Sequence, residues 1–67
     1  MKSYYVIVVT SVDYEGSTIW TYPSIRAVTP GEAKDVAIAT VNAADVSFDS
    51  LEEVRVFENG PCATWEL

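Results

Sequence analysis

Carboxylates are the side chains that could do most chemistry in this chain, because it has ten acidic residues, one cysteine and no histidine. Glu52 and Glu53 are adjacent, so on a strand they point to opposite faces and cannot act as an acid–base pair. Asp45 and Asp49 share a serine-containing segment that lacks the glycine and the closing glutamate of a calcium loop. We expect a solvated loop there. A glycosidase-like carboxylate pair stays open, although so short a chain leaves little room for a cleft.

The remaining catalytic side chains are few. Cys62 has no histidine to activate it, and we expect a surface or half-buried thiol. One cysteine without histidine is also too little for a structural zinc site. No glycine-rich phosphate loop occurs. The sequence therefore predicts no catalytic residues, no metal and no cofactor, and a protein that is not an enzyme.

Composition and charge limit the class of protein and its partners. The chain is 49% hydrophobic with a formal net charge of −6, which predicts one small globular domain over residues 1–67. The negative charge either provides solubility or forms a surface for a basic partner, and it disfavours direct binding to nucleic acid phosphates. No apolar run has membrane-spanning length and no signal peptide is recognisable, so we expect no membrane partner and a cytoplasmic location.

The apolar pattern predicts strands over residues 3–12, 18–28, 51–58 and 61–67 and a helix over 30–43. Thr29 marks the start of the helix as its N-cap, with Pro30 at the first helical position and Glu32 completing a capping box. Asn59 and Gly60 predict a hairpin between the last two strands, with Val56 opposite Ala63 and Val54 opposite Trp65. A hairpin turn with one residue at positive φ is expected at residues 13–17.

These elements predict an α+β fold of order ββαββ. A right-handed crossover places the third strand beside the first, giving an antiparallel sheet of order 2-1-3-4 with the helix packed on one face. Pro23 requires that the second strand be an edge or carry a bulge. The first strand is apolar on both sides, so Tyr4, Val6 and Val8 or Tyr5, Ile7 and Val9 can point inward.

The face of the sheet opposite the helix is the first candidate binding surface. We expect the helix to pack through one stripe, formed by Ala33, Val36, Ala37, Thr40, Val41 and Ala44. If Ile25 and Ala27 pack beneath Ala33 and Val36, strand alternation turns another set of side chains away from the helix. This set contains Trp20, Tyr22, Arg26, Arg55, Phe57 and one of Tyr4 and Tyr5. Aromatic residues and arginine are enriched where proteins bind each other, although such aromatics can also simply shield the sheet.

Acidic loops form a second candidate surface. Asp13 and Glu15 lie in the first hairpin turn, and Asp45 and Asp49 lie after the helix. Carboxylates spaced in this way can imitate a phosphate backbone and occupy a groove that binds nucleic acid. Turns at opposite ends of the sheet would separate the two pairs, so a single acidic stripe is not assured.

The hairpin followed by Val28-Thr29-Pro30-Gly31-Glu32-Ala33-Lys34, a helix and a strand resembles many small phage-encoded proteins in its pattern of elements. Several anti-CRISPR proteins and other phage inhibitors are similar in size and element order. The resemblance implies a non-enzymatic inhibitor that binds a host defence protein or a nucleic-acid-processing protein. No functional residue follows from it, because the motif is a general strand-to-helix junction.

The sequence thus favours an acidic binding protein that inhibits a larger host protein or nucleoprotein complex in the host cytoplasm. Its candidate binding residues are the aromatic and arginine set and the four loop carboxylates. A self-associating module that forms a homodimer through the aromatic face is the alternative. An enzyme is the third, and it would require a concave pocket with converging carboxylates.

Overall fold

Four antiparallel strands and one helix make up the structure, a computed structural model that describes residues 1–12, 14, 16–44, 48–58 and 60–67. The elements are β1 (Lys2–Val12), β2 (Gly16–Ala27), α1 (Pro30–Ala43), β3 (Ser50–Phe57) and β4 (Pro61–Glu66). The sheet has the order β2-β1-β3-β4, and neighbouring strands are antiparallel. The predicted α+β fold, its element order and its strand order are confirmed.

The helix begins where its capping residues predict. Thr29 has extended backbone and its Oγ1 accepts a hydrogen bond from the Glu32 N–H at 3.2 Å. Pro30 occupies the first helical position, where a missing N–H costs nothing. At the other end the Ala44 N–H donates to the Val41 carbonyl. The bounds predicted for the helix are those observed.

Turns and strand ends differ slightly from the prediction. Both Tyr14 and Gly16 have positive φ, 71° and 90°, where one such residue was expected, and β2 already begins at Gly16. β3 and β4 pair in the predicted register, with Val56 opposite Ala63 and Val54 opposite Trp65. Asn59 of the predicted hairpin turn lies outside the described residues, as does the side chain of Cys62.

The core lies between the sheet and α1. Tyr4, Val6 and Val8 are the inward residues of β1, which decides between the two faces that the sequence left open. Burial of Ala33, Ala37 and Val41 on α1 lets the helix approach the sheet closely. The predicted helix stripe is partly wrong, because Val36 is 42% exposed and Thr40 is exposed.

Relative to the predicted stripe, α1 is rotated about its axis so that Val36 points toward solvent. Ile38 packs against the core in its place, and Lys34 holds its ammonium 5.1 Å from the centre of the Trp65 ring on β4. On a helix, Lys34 and Ile38 lie on the side of the Ala33–Ala37 row opposite Val36 and Thr40. The helix packs on β2, β1 and β3, and the face it buries there runs along Ala33, Ala37 and Val41.

A bulge in β2 overturns the expected facing of Trp20 and Tyr22. Tyr4 pairs with Ile25, but Val6 pairs with Tyr22, so two residues of β2 lie opposite Tyr5 alone. The extra residue interrupts the period-two alternation at Pro23, and the side chains before it change faces. Trp20 and Tyr22 consequently pack against the core on the helix face.

Trp20 also satisfies a buried polar group of the core. Its Nε1 donates to Thr10 Oγ1 at 2.9 Å. Among the residues that the structure describes, Thr10 is the one buried polar residue, with 1% exposure. The indole ring lies on the same sheet face as Val8, its partner in the ladder. Trp20 is therefore a structural residue of the core.

We predict that Trp20→Phe lowers the free energy of unfolding by about 1–3 kcal/mol, because it leaves the buried Thr10 hydroxyl without this donor. Thr10→Val should destabilise the native chain but stabilise the Trp20→Phe variant, since it removes the unpaired hydroxyl at constant shape. Denaturant unfolding of the two single variants and the double variant measures this coupling. Equal effects of Thr10→Val in both backgrounds would contradict it.

Candidate binding face

The sheet surface away from α1, here called the open face, is built in rows across the strands. Ladder partners place side chains side by side, so the register assigns each row. From one end to the other the rows are Arg26 and Ser3; Tyr5 and Phe57; Thr21, Ile7, Arg55 and Thr64; Ile19, Val9, Glu53 and Glu66; and Ser17, Ser11 and Ser50. The apolar side chains lie in the three middle rows, beside polar and charged ones, and the two end rows are polar.

Five apolar side chains form a strip across the open face: Tyr5, Ile7, Val9, Ile19 and Phe57. Ile19 is 65% exposed and Tyr5 is 40% exposed, while the other three are half-buried. The rings of Tyr5 and Phe57 meet edge to face, with their centroids 6.2 Å apart at 75°. No described element packs over this strip, because α1 lies on the opposite side of the sheet.

Most of the basic side chains are already paired. The Arg55 guanidinium donates to both carboxylate oxygens of Glu53, and this hydrogen bonding raises the pKa of Arg55 further. Lys2 lies 3.6 Å from Glu58, and Lys34 lies 3.4 Å from Asp35. Within the described part of the chain, Arg26 is exposed and makes no ion pair.

Glu52 carries a negative charge at the end of the open face opposite Arg26. It lies at a second bulge, between the pairs Val9–Glu53 and Thr10–Leu51. Ser50 and Ser11 both donate to its Oε1, at 2.7 and 2.8 Å. These two hydrogen bonds, that of Ser50 first, lower the pKa of Glu52. The carboxylate is thus held in position and ionised, and no cation among the described residues pairs with it.

The structure brings together only part of the predicted aromatic and arginine set. Arg26, Arg55 and Phe57 lie on the open face with Tyr5, whereas Trp20 and Tyr22 do not. Sequence reasoning missed Ile19, because regular alternation from Ile25 places it on the helix face. The signal that could have found it was Pro23, since a bulge at that residue reverses the faces of the preceding half of the strand.

The predicted acidic surface lies mostly beyond the described residues. Asp13, Glu15 and Asp45 fall outside them. Asp49 is exposed, and its backbone N–H donates to the Ser11 carbonyl at 2.9 Å. Imitation of a phosphate backbone by these four carboxylates therefore stays a prediction.

The described residues form no enclosed pocket and no group of three or more potential metal ligands. None of their helices is long and apolar enough to cross a bilayer. Comparison of the chain with known proteins found no matching family model, no similar curated protein and no similar solved structure.

We predict that the pKa of Glu52 lies below the ordinary glutamate value and rises when Ser11 and Ser50 are both replaced by alanine. Because the pKa is lowered in the folded chain, the stabilisation is present above the pKa of the unfolded chain. It is lost as pH falls through the folded value. Carboxyl-carbon NMR titration measures the shift. An unchanged Glu52 pKa in the double variant would show that the hydroxyls do not cause it.

Proposed function

We propose that this chain is a non-enzymatic binding protein that inhibits a larger host protein by covering part of its surface. The observation that supports this best is the uncovered apolar strip on the open face. Apolar patches rimmed by polar groups are typical of surfaces that bind other proteins. Tyr5 in the strip and the arginines on the same face are of residue types enriched at binding hot spots.

The edges of the sheet support the face rather than strand addition as the binding surface. β2 and β4 are the outer strands, and each contains a proline, Pro23 or Pro61. A proline cannot donate a ladder hydrogen bond, so it discourages pairing with a strand of another chain.

Net charge and the resemblance support the proposed kind of partner and mode of inhibition. A net charge of −6 favours a basic partner surface, and proteins that handle nucleic acid carry such surfaces. The element pattern resembles phage-encoded inhibitors of the anti-CRISPR type, which act in the host cytoplasm. On this proposal the chain occupies a nucleic-acid-binding or assembly surface and does not bind nucleic acid itself.

We predict that Ile19→Thr and Tyr5→Thr each weaken capture of the partner by roughly tenfold, because each removes exposed apolar area without lowering strand propensity. The measurement is affinity capture of the tagged chain from bacterial lysate, followed by mass spectrometry and titration of the captured protein. Its enzymatic or nucleic-acid-binding activity should fall on addition of the chain.

Val36→Thr is the matched control, since Val36 is an exposed aliphatic residue on α1, away from the open face. It should leave capture unchanged. Equal capture by Ile19→Thr, Tyr5→Thr and the native chain would remove the open face as the binding surface. Capture lost only at high salt would favour the loop carboxylates instead.

Self-association through the open face is the second candidate function. The exposure of Ile19 and Tyr5 favours it, because a second copy would cover the same apolar strip. We predict a mean mass by static light scattering that rises with concentration in the native chain and in Val36→Thr, but less in Ile19→Thr. A constant monomer mass would exclude this candidate and leave the inhibitor proposal untouched.

A further inference from the structure

The tip of the β1–β2 hairpin presents one aromatic side chain outside the fold. Val12 and Gly16 form the last ladder pair of this hairpin, and Tyr14 lies at the middle of the connection between them. Tyr14 is 107% exposed, more than any other large hydrophobic side chain that the structure describes. No hydrogen bond, ring contact or ion pair joins it to another described residue. Its ring therefore contributes nothing to the core.

The backbone at Tyr14 is one that a bulky residue rarely adopts. Its φ of 71° lies in the left-handed region, which glycine, asparagine and aspartate enter far more readily than an aromatic residue does. A glycine or asparagine at this position would close the same hairpin with less strain. Residues that are held in such conformations, against the local preference of their side chains, are typical of functional sites.

The charge around Tyr14 is negative. Both of its neighbours in the sequence are acidic. Two further carboxylic residues lie at the same end of the sheet, because each is bonded to Ser11, close to the end of β1. The Asp49 N–H donates to the Ser11 carbonyl, and Glu52 accepts from the Ser11 hydroxyl. The end of the sheet at which the hairpin closes is therefore acidic.

The basic side chains lie elsewhere. Lys2 and Arg26 are at the opposite end of the β1–β2 ladder. Arg55 is bonded to Glu53 in the middle of the sheet, and Lys34 belongs to the first half of α1. The chain has four basic residues, and all of them are among the described residues. The acidic end of the sheet consequently has no basic side chain of its own.

We propose that Tyr14 is an anchor that inserts between arginine side chains on the surface of the host protein. The inference rests on the proposed function and adds a second contact beside the open face. A guanidinium can stack on a tyrosine ring and donate to a carboxylate next to it, and the hairpin tip supplies both groups. The same carboxylates repel the phosphates of nucleic acids and of anionic membranes. An arginine-lined protein surface is the partner that fits ring and charge together.

Thermal unfolding tests whether Tyr14 serves the fold. Tyr14→Asn introduces a residue that tolerates the left-handed region, and Tyr14→Phe keeps the ring. Tyr14→Asn should leave the midpoint of unfolding unchanged or raise it by a few degrees, because no contact of the fold depends on the ring. A midpoint clearly lower in Tyr14→Asn than in Tyr14→Phe would give the ring a structural role and overturn the proposal.

Binding is measured with a defined probe, the peptide hexa-arginine, titrated into the isotope-labelled chain and followed by NMR. We expect the largest shift changes at the hairpin tip. The dissociation constant should rise about two- to fivefold in Tyr14→Asn, the range of an exposed cation–π contact, and stay at the native value in Tyr14→Phe. Neither substitution alters the net charge. Hexa-lysine has the same charge but stacks less well on a ring, so its binding should depend less on Tyr14.

Tyr5→Thr is the matched control, because Tyr5 is also exposed but lies toward the opposite end of the open face. It should leave the affinity for hexa-arginine unchanged. Equal affinity of the native chain and Tyr14→Asn, a loss in Tyr5→Thr instead, or no binding of hexa-arginine at all overturns the role of Tyr14. Each of these results leaves the inhibitor proposal standing, since capture of a host protein by the open-face variants decides that proposal separately.

Discussion

The bulge in β2 is the constraint on which the rest of the structure depends. Because two residues of β2 lie opposite Tyr5, the halves of the strand on either side of Pro23 both turn their larger aromatic or apolar residues toward α1. Trp20 thereby reaches the Thr10 hydroxyl inside the core. The same shift sends Ile19 to the other side, where no described element covers it. One extra residue thus defines both the core and the open face.

Helix packing explains why the open face cannot be covered from within the described chain. α1 approaches the sheet through alanines, with Ala33 and Ala37 fully buried above Ala27 and the valines of β1 and β3. A close approach suits one helix of 14 residues on one side of a four-stranded sheet. The second side is left to water or to another molecule. Most basic side chains are likewise occupied within the chain, because three of the four have acidic neighbours.

Local signals made the fold predictable and the open face only partly so. Thr29, Pro30 and the hairpin before β4 are short-range features, and each one alone determines where an element begins or how two strands pair. Which side chains of β2 point toward α1 depends on whether the strand has a bulge at Pro23. The proline alone does not decide this, because an edge strand tolerates a proline with or without a bulge. The roll of α1 toward Ile38 depends on its packing against strands that are distant in sequence. Such choices are made by tertiary packing, and periodicity alone does not contain them.

Pro23 has a further consequence for the chain in concentrated solution. Its removal would leave one residue opposite Tyr5, so the alternation would become regular while Tyr22 and Ile25 kept their places over the core. The fold would lose little, but the outer strand would then present an unbroken row of backbone donors and acceptors along its length. Long regular edges of this kind, rich in Thr, Ile, Trp and Tyr, are templates for fibrillar aggregation. The residue that breaks the periodicity of the strand therefore protects the protein against insolubility.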